Sequence, residues 1–221
     1  MEQSLRVKIC GITQADQAVA IAQMGADTLG FICVPASPRY VAPERIGRIS
    51  AQLNDSGNSV RRIGVFADAA LAQIVKTTQV GNLTGLQLHG SESPEFCDAV
   101  REALPHLELI KALQVKSPET LASVAVYQTI VDALLLDAYS PHLLGGTGVA
   151  WDWTLLQGIE FPVPWLLAGG LTPENIDTAI ATLHPPGIDL SSGVERAPGD
   201  KDLERVQQLF AKIHPLRETA R

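Results

Sequence analysis

A thiol followed at once by glycine ends the strand-like part of VKICGIT, residues 7–13, and a carboxylate ends the apolar run IVDALLLD at Asp137. Cys10 and Asp137 are side chains that take and give protons, so one cavity holding both would move a proton on a bound substrate. Each also has a plain structural use. Free cysteine packs like a small hydrophobe, and a strand-end aspartate often ties a turn or caps a helix. Arg39, in SPRY, is held by a Ser-Pro turn in a loop; taken alone it is as readily a solvated surface arginine. In QLHG, Gln87 and His89 lie two apart and share one strand face, with Leu86 and Leu88 on the other.

Two small-residue turns point to an anion. LLAGGLTPENI puts Gly169 and Gly170 between an apolar run and a helix start, and IDLSSGVE puts Ser191, Ser192 and Gly193 after the next run. Small residues let a phosphate approach the backbone, where free N–H groups at a helix start bind its charge. Either turn alone could be tight packing; together they read as a phosphate cradle. GGTG, residues 145–148, is a loop flexible enough to close over a ligand, or simply a loop. A thiol, a carboxylate, an arginine and a phosphate cradle suit proton transfer on a sugar phosphate.

The elements that must position these groups alternate eight times. Short β-branched or leucine-rich runs fall at 5–10, 27–33, 61–66, 83–88, 107–113, 130–137, 164–168 and 187–190. Helical spacing follows at 14–24, 43–53, 69–79, 92–103, 117–127, 173–183 and 200–212, with a short stretch near 151–157. Ser-Pro-Glu at 93–95 and 117–119 and Thr-Pro-Glu at 172–174 each resemble a capped helix start. Eight βα units imply a parallel sheet, and eight is the number that closes a (β/α)8 TIM barrel. An open doubly wound sheet is the competing α/β architecture, but a GxGxxG turn is missing after the first strand. No composition shift suggests a second domain, so one barrel over residues 1–221 is expected. Barrel active sites sit at the carboxyl ends of the strands, which is where Cys10, His89 and Asp137 fall. One layer deeper, Lys8 shares the Cys10 face and Asp189 shares the Ser191 face. The first and last strands are neighbours in a closed barrel, so these two side chains either pair inside it or reach solvent at its other end.

Composition narrows the classes. The formal charge of −7 argues against nucleic-acid or anionic-membrane partners, while leaving room for a local anion site. The start MEQSLRVK lacks the apolar core of a signal peptide, and no apolar run reaches the length of a membrane span. Three widely separated cysteines form no CxxC pair, and a reducing cytoplasm is the simplest compartment. The five histidines form no HExxH, so no metal site is expected.

The set KICGIT, GFxxxxxSPRY, QLHG, LLLDAY, GGTG, LAGGLTPENI and DLSSGVE resembles the phosphoribosylanthranilate isomerase family of tryptophan biosynthesis, from residue 7 to about 200 and in the family's order. The resemblance implies a single (β/α)8 barrel that rearranges N-(5-phosphoribosyl)anthranilate to 1-(2-carboxyphenylamino)-1-deoxyribulose 5-phosphate, without metal or organic cofactor. By resemblance Cys10 is the general base, Asp137 the general acid and Arg39 the contact to the anthranilate carboxylate, with His89 beside the substrate. Gly169, Gly170, Ser191, Ser192 and Gly193 match the phosphate turns. Loop two departs from the family pattern at Val34 and Ala36. Lys8 would favour the Cys10 thiolate. The expected partner is a small-molecule substrate. A barrel that binds a sugar phosphate without catalysis is the alternative. GFICVP lacks the metal-binding pair of a ribulose-phosphate epimerase, and indole-glycerol-phosphate synthase would want a catalytic lysine on its early strands.

Overall fold

The computed structural model describes residues 5–115, 124–137 and 156–218. Eight strands, β1 (Arg6–Cys10), β2 (Thr28–Ile32), β3 (Arg61–Phe66), β4 (Gly85–Leu88), β5 (Glu108–Gln114), β6 (Ala133–Asp137), β7 (Trp165–Ala168) and β8 (Gly187–Leu190), form a closed barrel in sequence order. Every adjacent pair is parallel, and β1 pairs with β8 across the seam, Lys8 opposite Asp189. The strands are leucine- and isoleucine-rich because both of their faces are buried. Alternate residues Ile110 and Ala112, Ala133 and Leu135, and Leu166 and Ala168 fill the barrel interior. The residues between them, such as Leu109, Leu134, Leu136 and Leu167, pack against the helical layer. This alternation turns Lys8 and Cys10 to the same side, and Leu135 and Asp137 likewise.

The helices bury one stripe each. Helix Pro43–Asp55 starts at a proline and buries Ile46, Ile49, Ser50 and Leu53, the three-and-four spacing of one face. Ser50 Oγ donates to Gly81 O at 2.7 Å and so ties it to the next helix, Leu71–Gly81. Ser-Pro-Glu at 93–95 does start a helix, Pro94–Ala103, with Ser93 Oγ accepting from Phe96 N at 3.3 Å.

Two helix starts differ from expectation. After β7 the helix begins at Ile176, not 173, because Asn175 takes the turn for itself: it accepts from Thr172 N at 2.8 Å and donates to Gly170 O at 2.9 Å. After β8 the chain makes a 3-10 turn, Ser192–Val194, and then an antiparallel hairpin of β9 (Glu195–Ala197) and β10 (Asp200–Lys201). The last helix therefore runs Leu203–Glu218 rather than 200–212. In the expected 117–127 helix, only Val124–Tyr127 lies within the described residues. The Ser-Pro-Glu at 117–119, the GGTG loop at 145–148 and residues 151–155 lie outside them. Among the described residues, no helix is long and apolar enough to cross a membrane.

Candidate active site

A cavity of about 300 Å³ opens where the carboxyl ends of the strands converge. Cys10 from β1, Arg39 from the loop after β2, Gln87 and His89 from β4, Asp137 from β6, Gly169 and Gly170 after β7, and Asp189, Ser191 and Ser192 from β8 all line it. A larger cavity, about 710 Å³, lies at the opposite mouth among Arg6, Asp27, Glu108 and Asp132. Its charges are paired: Arg6 with Glu108 and Asp27 with Arg217 of the same lining, and Asp132 with Arg101 beside it. The smaller cavity has the unspent chemistry and stands at the end of the barrel where active sites form.

Cys10 is 6% exposed. Its neighbour across the β1–β2 ladder is Gly30, where a Cβ would stand 2.6 Å from the Cys10 sulfur, so the thiol occupies space that only glycine leaves. Lys8, fully buried, donates to Asp189 Oδ2 at 2.9 Å, closing the seam inside the barrel. Burial lowers the Lys8 value, but attraction to Asp189 outweighs it and the value is raised. Burial also holds the Asp189 carboxyl above its ordinary value against the pull of Lys8. The 2.9 Å contact favours the ionised pair. For Cys10 burial is the largest influence and pushes the thiol up, while Lys8 and Lys201 pull it down. The expected help from Lys8 has the right sign, and burial exceeds it.

On the facing wall, Gln87 Nε2 lies 2.8 Å from His89 Nδ1, and His89 Nε2 lies 3.5 Å from Asp137 Oδ2. With Gln87 donating, the ring keeps its proton on Nε2, toward Asp137. Gln87 Oε1 and Asp189 Oδ1 are buried and have no hydrogen-bond partner among the described residues.

Arg39 is not a solvated surface residue. The Ser-Pro turn is closed by Tyr40 N donating to Ser37 O at 3.1 Å. It delivers the guanidinium to Glu195, with Nε at 3.0 Å from both carboxylate oxygens and Nη2 at 2.6 Å from Oε2. Lys201 Nζ donates to the same carboxylate at 2.7 Å and to Ser191 O at 3.2 Å. Glu195 and Lys201, which hold Arg39 at the cavity, are residues that sequence reasoning missed, although Glu195 ends the quoted DLSSGVE motif. Burial pushes the Glu195 value up, but the hydrogen bonds from Arg39 and Lys201 win and hold it below its ordinary 4.5. A depressed carboxyl adds stability that is present above the unfolded value and lost as pH falls through the folded one. Urea midpoints measured against pH should therefore fall on acidification below about 4.5. They should fall less steeply in Glu195→Gln, and equal slopes in the two proteins would remove Glu195 as a source of acid sensitivity.

The two small-residue turns come together as expected, with different duties. Gly169 and Gly170 have φ of +94° and +64° and line the cavity with Ser191 and Ser192. Gly193 does not line it. A Cβ there would stand 1.9 Å from Leu171 O, so its place is the contact between the two turns. Arg205 fastens that contact from outside, donating to Gly193 O at 2.9 Å and to Glu174 at 2.8 Å. Among the described residues, no group of three or more His, Cys, Asp or Glu could hold a metal ion.

Residues 7–212 match the model of the N-(5'-phosphoribosyl)anthranilate isomerase family. The chain is 60% identical over 215 residues to the protein of that name from Acaryochloris marina, covering 96% of this chain and 99% of that one. It superposes on the crystal structure of phosphoribosyl anthranilate isomerase from Thermotoga maritima with a TM-score of 0.85 at 35% identity, covering 96% and 99% of the two chains. A solved phosphoribosyl anthranilate isomerase in complex with reduced 1-(o-carboxyphenylamino)-1-deoxyribulose 5-phosphate superposes with a TM-score of 0.82 at 33% identity, covering 96% and 99%.

Proposed function

Since the chain belongs to the N-(5'-phosphoribosyl)anthranilate isomerase family, and so rearranges N-(5'-phosphoribosyl)anthranilate to 1-(2-carboxyphenylamino)-1-deoxyribulose 5-phosphate in tryptophan biosynthesis, we propose which side chains carry each step. Asp137 gives its proton to the furanose ring oxygen as the C1–O bond breaks, leaving a protonated imine. The Cys10 thiolate then takes the proton from sugar C2, and its electrons form the C1–C2 double bond of an enolamine. Loss of the C2 hydroxyl proton and protonation of C1 give the ketone. The observation that supports this reading best is the shared cavity: a thiol from β1 and a carboxylate from β6 line one space at the barrel mouth.

The remaining groups are assigned to binding. The phosphate lies on the turns Gly169–Gly170 and Ser191–Ser192, where backbone N–H groups meet its charge. Gly193 holds those turns together. Gln87 Oε1 and Asp189 Oδ1, which lack a partner among the described residues and whose side chains line the cavity, accept from sugar hydroxyls. His89 steadies Asp137. Arg39 receives the anthranilate carboxylate through donors that Glu195 leaves free. A cytoplasmic location belongs to the same reading and is supported by the three free, buried cysteines.

Arg39→Ala tests the carboxylate contact. The change removes a charge-assisted hydrogen bond and leaves the Glu195 charge facing the ligand, so a carboxylate-bearing product analogue should bind more weakly by about 1.5 kcal/mol or more. Ribose 5-phosphate, titrated against the same variant by calorimetry, should lose far less. Equal losses for both ligands would assign Arg39 a general charge effect.

A further inference from the structure

The Cys10 thiol sits in a ring of charges that does not sum to zero. Lys8 lies one layer below it on β1, ion-paired to Asp189 of β8. From the loop after β2, Arg39 reaches Glu195, and Glu195 also holds Lys201 of the hairpin. Three cations thus meet two carboxylates. Across the cavity Asp137 stands against His89 at 3.5 Å; as the assigned acid it holds its proton before the first step and adds no carboxylate to the count. Cys33, behind β2, is a buried thiol whose value is pushed up to about 12 by burial, and it brings no charge.

The surplus cation is closely placed. Lys201 has no exposed surface. Its ammonium is fixed between Glu195 Oε1 and Ser191 O. That same Glu195 Oε1 lies only 3.4 Å from where a Cβ on Gly11, the residue after the thiol, would stand, and Ser191 Oγ lies 3.0 Å from it. Lys201 is thus joined through Glu195 and Ser191 to the turn that follows Cys10, in a place water does not reach, where a unit charge is weakly screened. Glu195 is committed to Arg39 by three contacts and offsets one cation, leaving the other over.

We propose that Lys201 is a positioning residue for the proton transfer, its buried ammonium supplying the uncompensated positive charge that the Cys10 thiolate neutralises. The inference rests on the assignment of Cys10 as the base. It gives the hairpin Glu195–Lys201 a task beyond closing the barrel end. Glu195 and Lys201, which set Arg39 for a carboxylate, thereby also bear on the thiol. Consistent with this, Lys201 pulls the Cys10 value down; burial in turn holds the Lys201 value below its ordinary one, against the pull of Glu195.

The test is the pH dependence of Cys10 alkylation by iodoacetamide in the folded, ligand-free protein, with Cys10→Ser giving the background from Cys33 and Cys97. Lys201→Met should slow alkylation at neutral pH about tenfold and move the rise in rate about one unit to higher pH. The acid limb of its kcat profile should move the same way. Lys201→Arg, which keeps the charge, should stay within about threefold of wild type. Should Lys201→Met not fold, Lys201→Gln, which keeps a donor for Glu195 and Ser191, is read in its place. A neutral variant that alkylates with the wild-type pH profile overturns the proposal, even if its turnover is low. The alkylation readout is independent of turnover. Full activity in Cys10→Ser would instead overturn the assignment of the base.

Discussion

Cys10→Ser and Asp137→Asn each lower kcat by at least about two orders of magnitude, the usual scale for a positioned proton-transfer group. The loss should fall on kcat more than on KM, because neither side chain is assigned a binding contact that persists through the reaction. Both changes are nearly isosteric. Serine fits the space beside Gly30 that the sulfur occupies, and asparagine keeps an oxygen for His89, so both variants should fold. Their chemistry fails for different reasons. A serine hydroxyl has too high a pKa to serve as the base, whereas an asparagine amide has no acidic proton to give. Steady-state turnover of N-(5'-phosphoribosyl)anthranilate, with circular dichroism to check folding, measures both. A variant that kept more than about a tenth of wild-type kcat would lose its assigned role.

Lys8→Met costs about 3–5 kcal/mol of stability, the range for breaking a buried pair from one side. The size of the effect follows from what remains. Asp189 Oδ1 already lacks a partner among the described residues, and Lys8 is the donor to Oδ2. Removing the ammonium leaves a buried carboxylate to protonate or to draw water through the cavity. The matched double variant Lys8→Met/Asp189→Leu should recover much of the loss, since replacing both charges by apolar groups removes the desolvation cost of each. Urea unfolding of the two variants gives the comparison. A single variant within about 1 kcal/mol of wild type would show that the pair contributes little. Activity should fall in both, because the variants lose a cation that favours the Cys10 thiolate.

The barrel was legible because its strands are buried on both faces and read as largely apolar runs, from LGFI in β2 to LLL in β6. The two-residue period then placed Lys8 under Cys10 and Gln87 beside His89 without any tertiary information. What stayed hidden depends on contacts distant in sequence. Arg39 and Glu195 are 156 residues apart, and neither segment signals the other. Lys201 stands in a stretch, GDKDLE, whose polar start looks like the first turn of a helix, and the two-residue strand β10 is too short to show a period. Thr172-Pro173-Glu174 carries the composition of a helix cap, but the Asn175 side chain captures the same backbone groups and delays the helix. Gly30 has no local mark at all. Its reason is the thiol opposite, visible only once β1 and β2 are in register.

The seam between β1 and β8 orders the events of assembly. Lys8 and Asp189 are separated by 181 positions, so a chain emerging amino-terminus first carries the lysine long before its carboxylate exists. Until β8 is made, β1 is an open sheet edge with a cation on what will be its inner side. An unpaired edge invites association with other chains, and an inward-pointing charge is a known deterrent to it. Lys8 is such an inward charge on β1, and in the finished barrel it is the bolt. Glu195 and Lys201 follow β8 by only a few residues, so the chemical environment of the thiol is completed in the same late step that closes the wall. A chain that stops short of β8 holds Cys10 without the Lys8–Asp189 pair and without Glu195 and Lys201 beside it.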